Sequence, residues 1–272
     1  MVDVQGQSLA PLILALITGE GLEMGPDVQA AVNVLEVVTS LIGAILVPVI
    51  LMDVAQRTAA QDSRVRSVPF LLGLGIAAWY AVVDTIGRSG GFSALGRASA
   101  HFPMIGLGVF IPIAVALFVL PLIAPLQRLV SDDRVQPAWI AVQSYRVIPG
   151  AMFLLLLFLH RLPAIFAVPA GVGDMFVGLT AFPASIWLRD GRHGLAVAWN
   201  LIGLLDLVFA IGLGVTTSPG VLHLIHASPS TVAATMAPVV IVPTFIVPLC
   251  VWLHSISLRH LFARRAALGI PG

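Results

Sequence analysis

Seven stretches of the chain, about 28–55, 68–87, 104–126, 138–160, 164–188, 194–216 and 232–258, run almost without charge for the width of a membrane. A hydrocarbon layer about 30 Å thick takes roughly 20 apolar residues in an α-helix. In lipid a segment must satisfy its own backbone hydrogen bonds, which a helix does internally. The expectation is an all-α polytopic integral membrane protein with seven transmembrane helices over 28–260. An N-terminal segment, 1–27, precedes them and a cytoplasmic tail, 261–272, follows. One more apolar run, Leu9 to Ile17, is too short to span, and with Asp3 before it and Glu20 and Glu23 behind it lacks the flanks of a signal peptide. It reads as an outer-face or re-entrant segment, with a short eighth span as the alternative.

Composition agrees with the spans. The chain is 58% apolar and 10% charged, where a soluble domain carries roughly 25% charged residues. A net charge of +1 supplies no field for nucleic acid. All fourteen basic residues are Arg, so Schiff-base chemistry on lysine is excluded. The single cysteine, Cys250, lies in an apolar run and excludes an internal disulfide framework. No Walker loop, dinucleotide fingerprint or zinc-finger spacing occurs.

Arginine asymmetry sets the expected orientation, because cytoplasmic loops collect positive charge. With the N-terminus outside, the inner loops and tail hold Arg57, Arg64, Arg66, Arg128, Arg134, Arg189, Arg192, Arg259, Arg264 and Arg265. The outer loops hold Arg88, Arg97 and Arg161. The expected topology is N-out and C-in, in a bacterial inner (plasma) membrane.

Ionisable groups at bilayer depth are costly unless paired, which makes each a functional candidate. Four qualify: Glu36, Arg146, Asp174 and Asp206. The helical stripe through Asp174 reads Ala167, Gly171, Asp174, Gly178, Ala181, Ser185, all small, as on faces where membrane helices pack closely. The stripe through Asp206 reads Ala196, Trp199, Gly203, Asp206, Ala210. Counting from a turn near Gly191, Asp174 lies 17 residues before and Asp206 15 after, an axial offset of about 3 Å. Counting from a turn near Leu162, Arg146 and Asp174 differ by about 6 Å in depth, within reach of an Arg side chain. Arg146, Asp174 and Asp206 should therefore meet near the middle of the membrane. Two carboxylates against one guanidinium leave surplus negative charge, so the pair is expected to hold an extra proton, as a relay or a cation site requires. The competing reading is a purely structural Arg–Asp bridge, with the second Asp hydrogen-bonded to Asn200, Ser185 or backbone.

Four histidines fall on the expected outer side: His101, His160, His223 and His226. His223 and His226 are three apart, and with His160 they would make a three-His site for copper, zinc or haem iron. Asp84 or Glu36 could add a carboxylate there. Ordinary interfacial polar groups are the alternative. His254 and His260 are six apart and do not face each other, and His260 is expected to be solvated. Asp84–Arg88 and Asp53–Arg57 have the spacing of local helix pairs. Pro112, Pro121 and Pro125 in the third span, and Pro238, Pro243 and Pro248 in the seventh, should bend or loosen those helices.

In outline the topology resembles microbial rhodopsins, but the lysine that would hold a chromophore is missing. The seven-helix zinc hydrolases of the ceramidase and adiponectin-receptor type need a His pair that His254 and His260 do not supply. The Pro-Gln pair of SWEET-type carriers is also missing. Three readings remain open: a proton-linked permease for a small solute, a membrane enzyme acting on a lipid or isoprenoid, and a non-catalytic subunit or metal- or haem-holding protein. The sequence requires no cofactor, and the bilayer is the one partner it implies.

Overall fold

A computed structural model describes residues 47–59, 67–93, 104–219 and 222–267, with scattered positions between 30 and 45. Among the described residues every regular element is helical. Six helices among the described residues are long and apolar enough to cross a membrane. The segment 1–27, the carboxylate Glu36 and the imidazole His101 lie outside the described residues, as do many positions of the first expected span before residue 47.

In chain order the helices are α1 (Val47–Ala59), α2 (Val68–Arg88), α3 (Met104–Ala114), α4 (Ala124–Val130), α5 (Gln136–Ala141), α6 (Val147–Phe158), α7 (Ala164–Arg189), α8 (His193–Thr217) and α9 (Val247–Ala267). A tight 3-10 stretch, Val142–Arg146, joins α5 and α6 into a single span. Wider π-helical turns extend α3 over Val115–Val119 and open α9 over Val242–Ile246.

Prolines set several of these boundaries. The third span ends at Leu122 rather than near 126, because Ile123 is extended and Pro125 then sits in the first turn of α4. Pro121 has no N–H, so the Leu117 carbonyl loses its ordinary helical partner, and Arg259 donates to it at 2.9 Å. At the other end of the bundle the last span begins near Val242, not 232. Residues 231–235 form a separate 3-10 turn, and Met236 behind it is extended. That span then continues to Ala267, well past 258 and into the expected tail.

Two tight hairpins set the register of the centre. Between α7 and α8, Gly191 adopts φ +76°, and Arg192 N–H reaches back to Trp187 O at 2.8 Å. This is the helix-ending pattern for which a left-handed residue is needed. Between α6 and α7 the left-handed position is His160, at φ +52°, with Arg161 N–H donating to Leu156 O at 2.8 Å. Histidine tolerates this conformation better than most side chains. His160 therefore serves the turn, with its ring exposed.

Size, more than polarity, sorts the faces of α7. Ala167, Gly171, Asp174, Gly178, Ala181 and Ser185 are buried, while Val172, Phe176, Leu179 and Phe182 face outward. A helix apolar all round fits a lipid exterior. The small face allows backbone-to-backbone contact: a Cβ on Gly150 would come 2.7 Å from Gly171 O, and one on Gly178 would come 2.7 Å from Val147 N. α9 runs through the middle, with Leu249, Cys250, Trp252, Leu253, His254 and Ser257 all buried. The local pairs Asp53–Arg57 and Asp84–Arg88 form at 2.7 and 2.8 Å.

Gly178→Val should force α6 and α7 apart and destabilise the protein by about 1–3 kcal/mol. Gly212→Ala, where nothing lies within 4 Å of the added carbon, should be neutral. Thermal unfolding of the two variants in detergent, followed by size-exclusion chromatography, measures both.

Candidate functional site

Arg146 closes the 3-10 turn before α6 and is fully buried. Its three guanidinium nitrogens go to three different helices. Nε donates to Asp174 Oδ1 of α7 at 2.7 Å, and Nη2 donates to Asp206 Oδ2 of α8 at 2.5 Å. Nη1 lies 3.2 Å from His254 Nε2 of α9. The expected meeting of Arg146, Asp174 and Asp206 is present. Asn200 and Ser185, offered as partners for the second carboxylate, are engaged elsewhere. Ser185 donates to Phe182 O, and Asn200 serves His254.

His254 is the fourth member, and sequence reasoning gave it no role. Arginine only donates, so Nε2 must accept and Nδ1 must carry the hydrogen. Nδ1 then donates to Asn200 Oδ1 at 2.9 Å, while Asn200 Nδ2 is anchored on Ala196 O and Ser257 Oγ. The imidazole in this arrangement is the neutral tautomer. Trp199 packs on it with ring centroids 5.2 Å apart. Gln143 Nε2 approaches Nδ1 at 3.4 Å, and its Oε1 is buried without a hydrogen-bond partner. The sequence signal for His254 is a polar side chain within a long apolar span.

Two glycines make room for these groups. A side chain at Gly173 would overlap the Asp206 carboxyl, and one at Gly203 would overlap the His254 ring. Both lie beside the aspartates in sequence, in GVGD (171–174) and GLLD (203–206).

Asp174 also lines a cavity of about 430 Å3. The cavity runs from the α8–α9 connection, past Pro219 and Leu222, between α3, α7, α8 and the start of α9. Ile105, Phe110, Phe153, Phe166, Leu207 and Val247 are among its walls, and Asp174 is the one ionisable group among its described lining residues. Arg146 occupies Oδ1 of Asp174, which leaves the carboxyl a face on the cavity.

His160, His223 and His226 do not make the three-His site. His223 and His226 do meet, their rings stacked at 4.5 Å and 29°, but His160 does not join them. No group of three His, Cys, Asp or Glu side chains that could hold a metal ion occurs among the described residues. At the opposite end of α7 and α8, a second cavity of about 420 Å3 is lined by Asp133, Arg134, Arg189, His193, His260 and Arg264, among others. His260, expected in solvent, instead pairs with Asp133 at 2.7 Å, and Arg264 pairs with it at 3.0 Å. Beside them, hydrogen bonds from the Arg134 guanidinium hold the Asp132 carboxyl below its ordinary pKa.

The fold and its buried network define a polytopic helical membrane protein organised around an Arg–Asp–Asp–His cluster. The chain belongs to the family described as Domain of unknown function (DUF8737), whose model matches residues 103–262. No curated protein and no solved structure matches it. The matched stretch contains all four cluster residues and every described lining residue of the apolar cavity.

Arg146→Gln should destabilise the fold by about 3–5 kcal/mol, because it strands two carboxylates away from water. Adding Asp206→Asn in the same chain should recover part of that loss. A double-mutant cycle on thermal unfolding reads the coupling directly.

Proposed function

We propose that the protein is a proton-linked carrier of a small solute. In this reading Asp174 and Asp206 take up and release one proton between them, and Arg146 holds the pair. The carrying observation is the placement of both carboxylates on one guanidinium, with one of them, Asp174, in the wall of an apolar cavity. With both ionised, the cluster would keep a negative charge inside a low dielectric, and one bound proton removes it. The cavity then forms the open half of a pathway, and protonation is the event that closes it behind a solute. The π-helical turn that opens α9 contributes Val242 and Pro243 to the cavity wall. Such wide turns recur at functional sites in helices.

The topology that goes with this reading has seven spans over 28–260, with the N-terminal segment 1–27 outside and the tail after 260 in the cytoplasm of a bacterium with this chain in its inner membrane. Arg134, Arg189 and Arg264 line a single cavity at the end this topology assigns to the cytoplasm, in accord with the positive-inside rule.

A second reading is favoured by the almost wholly apolar lining of the cavity: an enzyme that acts on a lipid or isoprenoid chain, with one aspartate as general acid. The third, a subunit in which the cluster only fixes packing, is separated from both by substitution. Asp174→Asn and Asp206→Asn should each abolish proton-coupled flux in proteoliposomes while folded yield stays near that of the unaltered chain. Collapse of the fold in both variants would support the packing role. Product formation from lipid in detergent, with no flux in liposomes, would support the enzyme.

A further inference from the structure

We infer that the cavity takes a lipophilic amine, an apolar body with a single protonated nitrogen that replaces the proton at the Asp174–Asp206 pair. The inference deepens the carrier reading and rests on it for the exchange step, though not for binding. It begins from a charge count over the groups that face Asp174 from each packed element. Arg146 contributes one positive charge, Asp206 is a second carboxylate, and His254 is neutral by its hydrogen bonds. Tyr145 and Cys250, the other titratable groups nearby, are uncharged and bonded to each other at 2.9 Å. The cluster is therefore short of one positive charge, which either a proton or an ammonium group can supply. When the ammonium enters, one proton leaves, so charge balances and no bond to carbon is made or broken.

The lining rejects the other ligand classes. A carboxylate or phosphate would set a further negative charge beside Asp174, and all three nitrogens of Arg146 are already committed. A sugar or other polyhydroxylated solute would find few free partners. The Thr231 hydroxyl donates to Gly214 O and the Thr235 hydroxyl to Val232 O. The remaining walls are almost entirely aliphatic or aromatic. A volume of about 430 Å3 lies within the roughly 300–1,000 Å3 of ordinary small-molecule pockets.

The test uses the full chain in detergent and three probes with one apolar body: phenylbutylamine, phenylbutanol and phenylbutyrate. Calorimetry should show the amine binding at least about tenfold tighter than the alcohol, with the carboxylate weaker still. Proton release into weakly buffered solution should approach one per amine bound. The amine's affinity should fall as pH is lowered, because protons compete for the same site. Asp174→Asn should remove the preference for the amine and keep phenylbutanol binding, which shows an intact cavity. Equal binding of amine and alcohol to the unaltered protein, or a preference that survives Asp174→Asn, would overturn the inference. The carrier reading is judged separately, in proteoliposomes, with the quaternary analogue phenylbutyl-trimethylammonium, which does not leak as a free base. Binding of the amine without uptake of this cation against a proton gradient would leave the ligand class standing and remove the carrier.

Discussion

A single guanidinium ties the centre of this protein together. Arg146 is fully buried, and its Nε, Nη1 and Nη2 each reach a different helix. The polar groups around it accommodate that charge. An arginine cannot shed its proton, so its burial requires carboxylates near it. The two that answer, Asp174 and Asp206, come from the two arms of the α7–α8 hairpin. Lysine could not replace it, because an ammonium is a point charge without the planar fork that reaches several partners at fixed angles.

Close helix approach follows from the same need. Small residues on the inner face of α7 bring its backbone against α6, and glycines at 173 and 203 leave space for a carboxyl and an imidazole. The price in a membrane is modest, since lipid covers large side chains as readily as protein does. Hence many large residues of α7 and α8, such as Phe176, Phe182, Val208 and Phe209, are on the outside. On α7, the small residues around Asp174 on the inner face and the bulky ones facing outward invert the usual soluble arrangement.

Much of this core was legible in the sequence because helices translate spacing into position. The 3.6-residue period put Asp174 and Asp206 on inner faces, and counting from the hairpin turns put them level with Arg146. What could not be read depended on contacts between elements distant in the chain. His254 is 108 positions from Arg146, and no periodicity within α9 selects it over any other inward residue. His260 meets Asp133 in the same way, across 127 positions of sequence. The ends of spans were misplaced where proline redirects the backbone, at Ile123 and at Met236. His160 looked like a ligand and is a turn residue, since its left-handed backbone is invisible to a residue count.

The most direct measurement is infrared spectroscopy of the carboxyl groups in the purified protein, with pH varied. If the Asp174–Asp206 pair shares one exchangeable proton, a protonated-carboxyl C=O band will be present, will shift in heavy water and will disappear as pH rises. Replacing either aspartate by asparagine will remove or displace that band, because the shared site no longer exists. A spectrum in which the same band survives both substitutions, or in which no protonated carboxyl is found at any pH where the protein stays folded, would contradict a proton-carrying pair. The cluster would then be a structural clamp and nothing more.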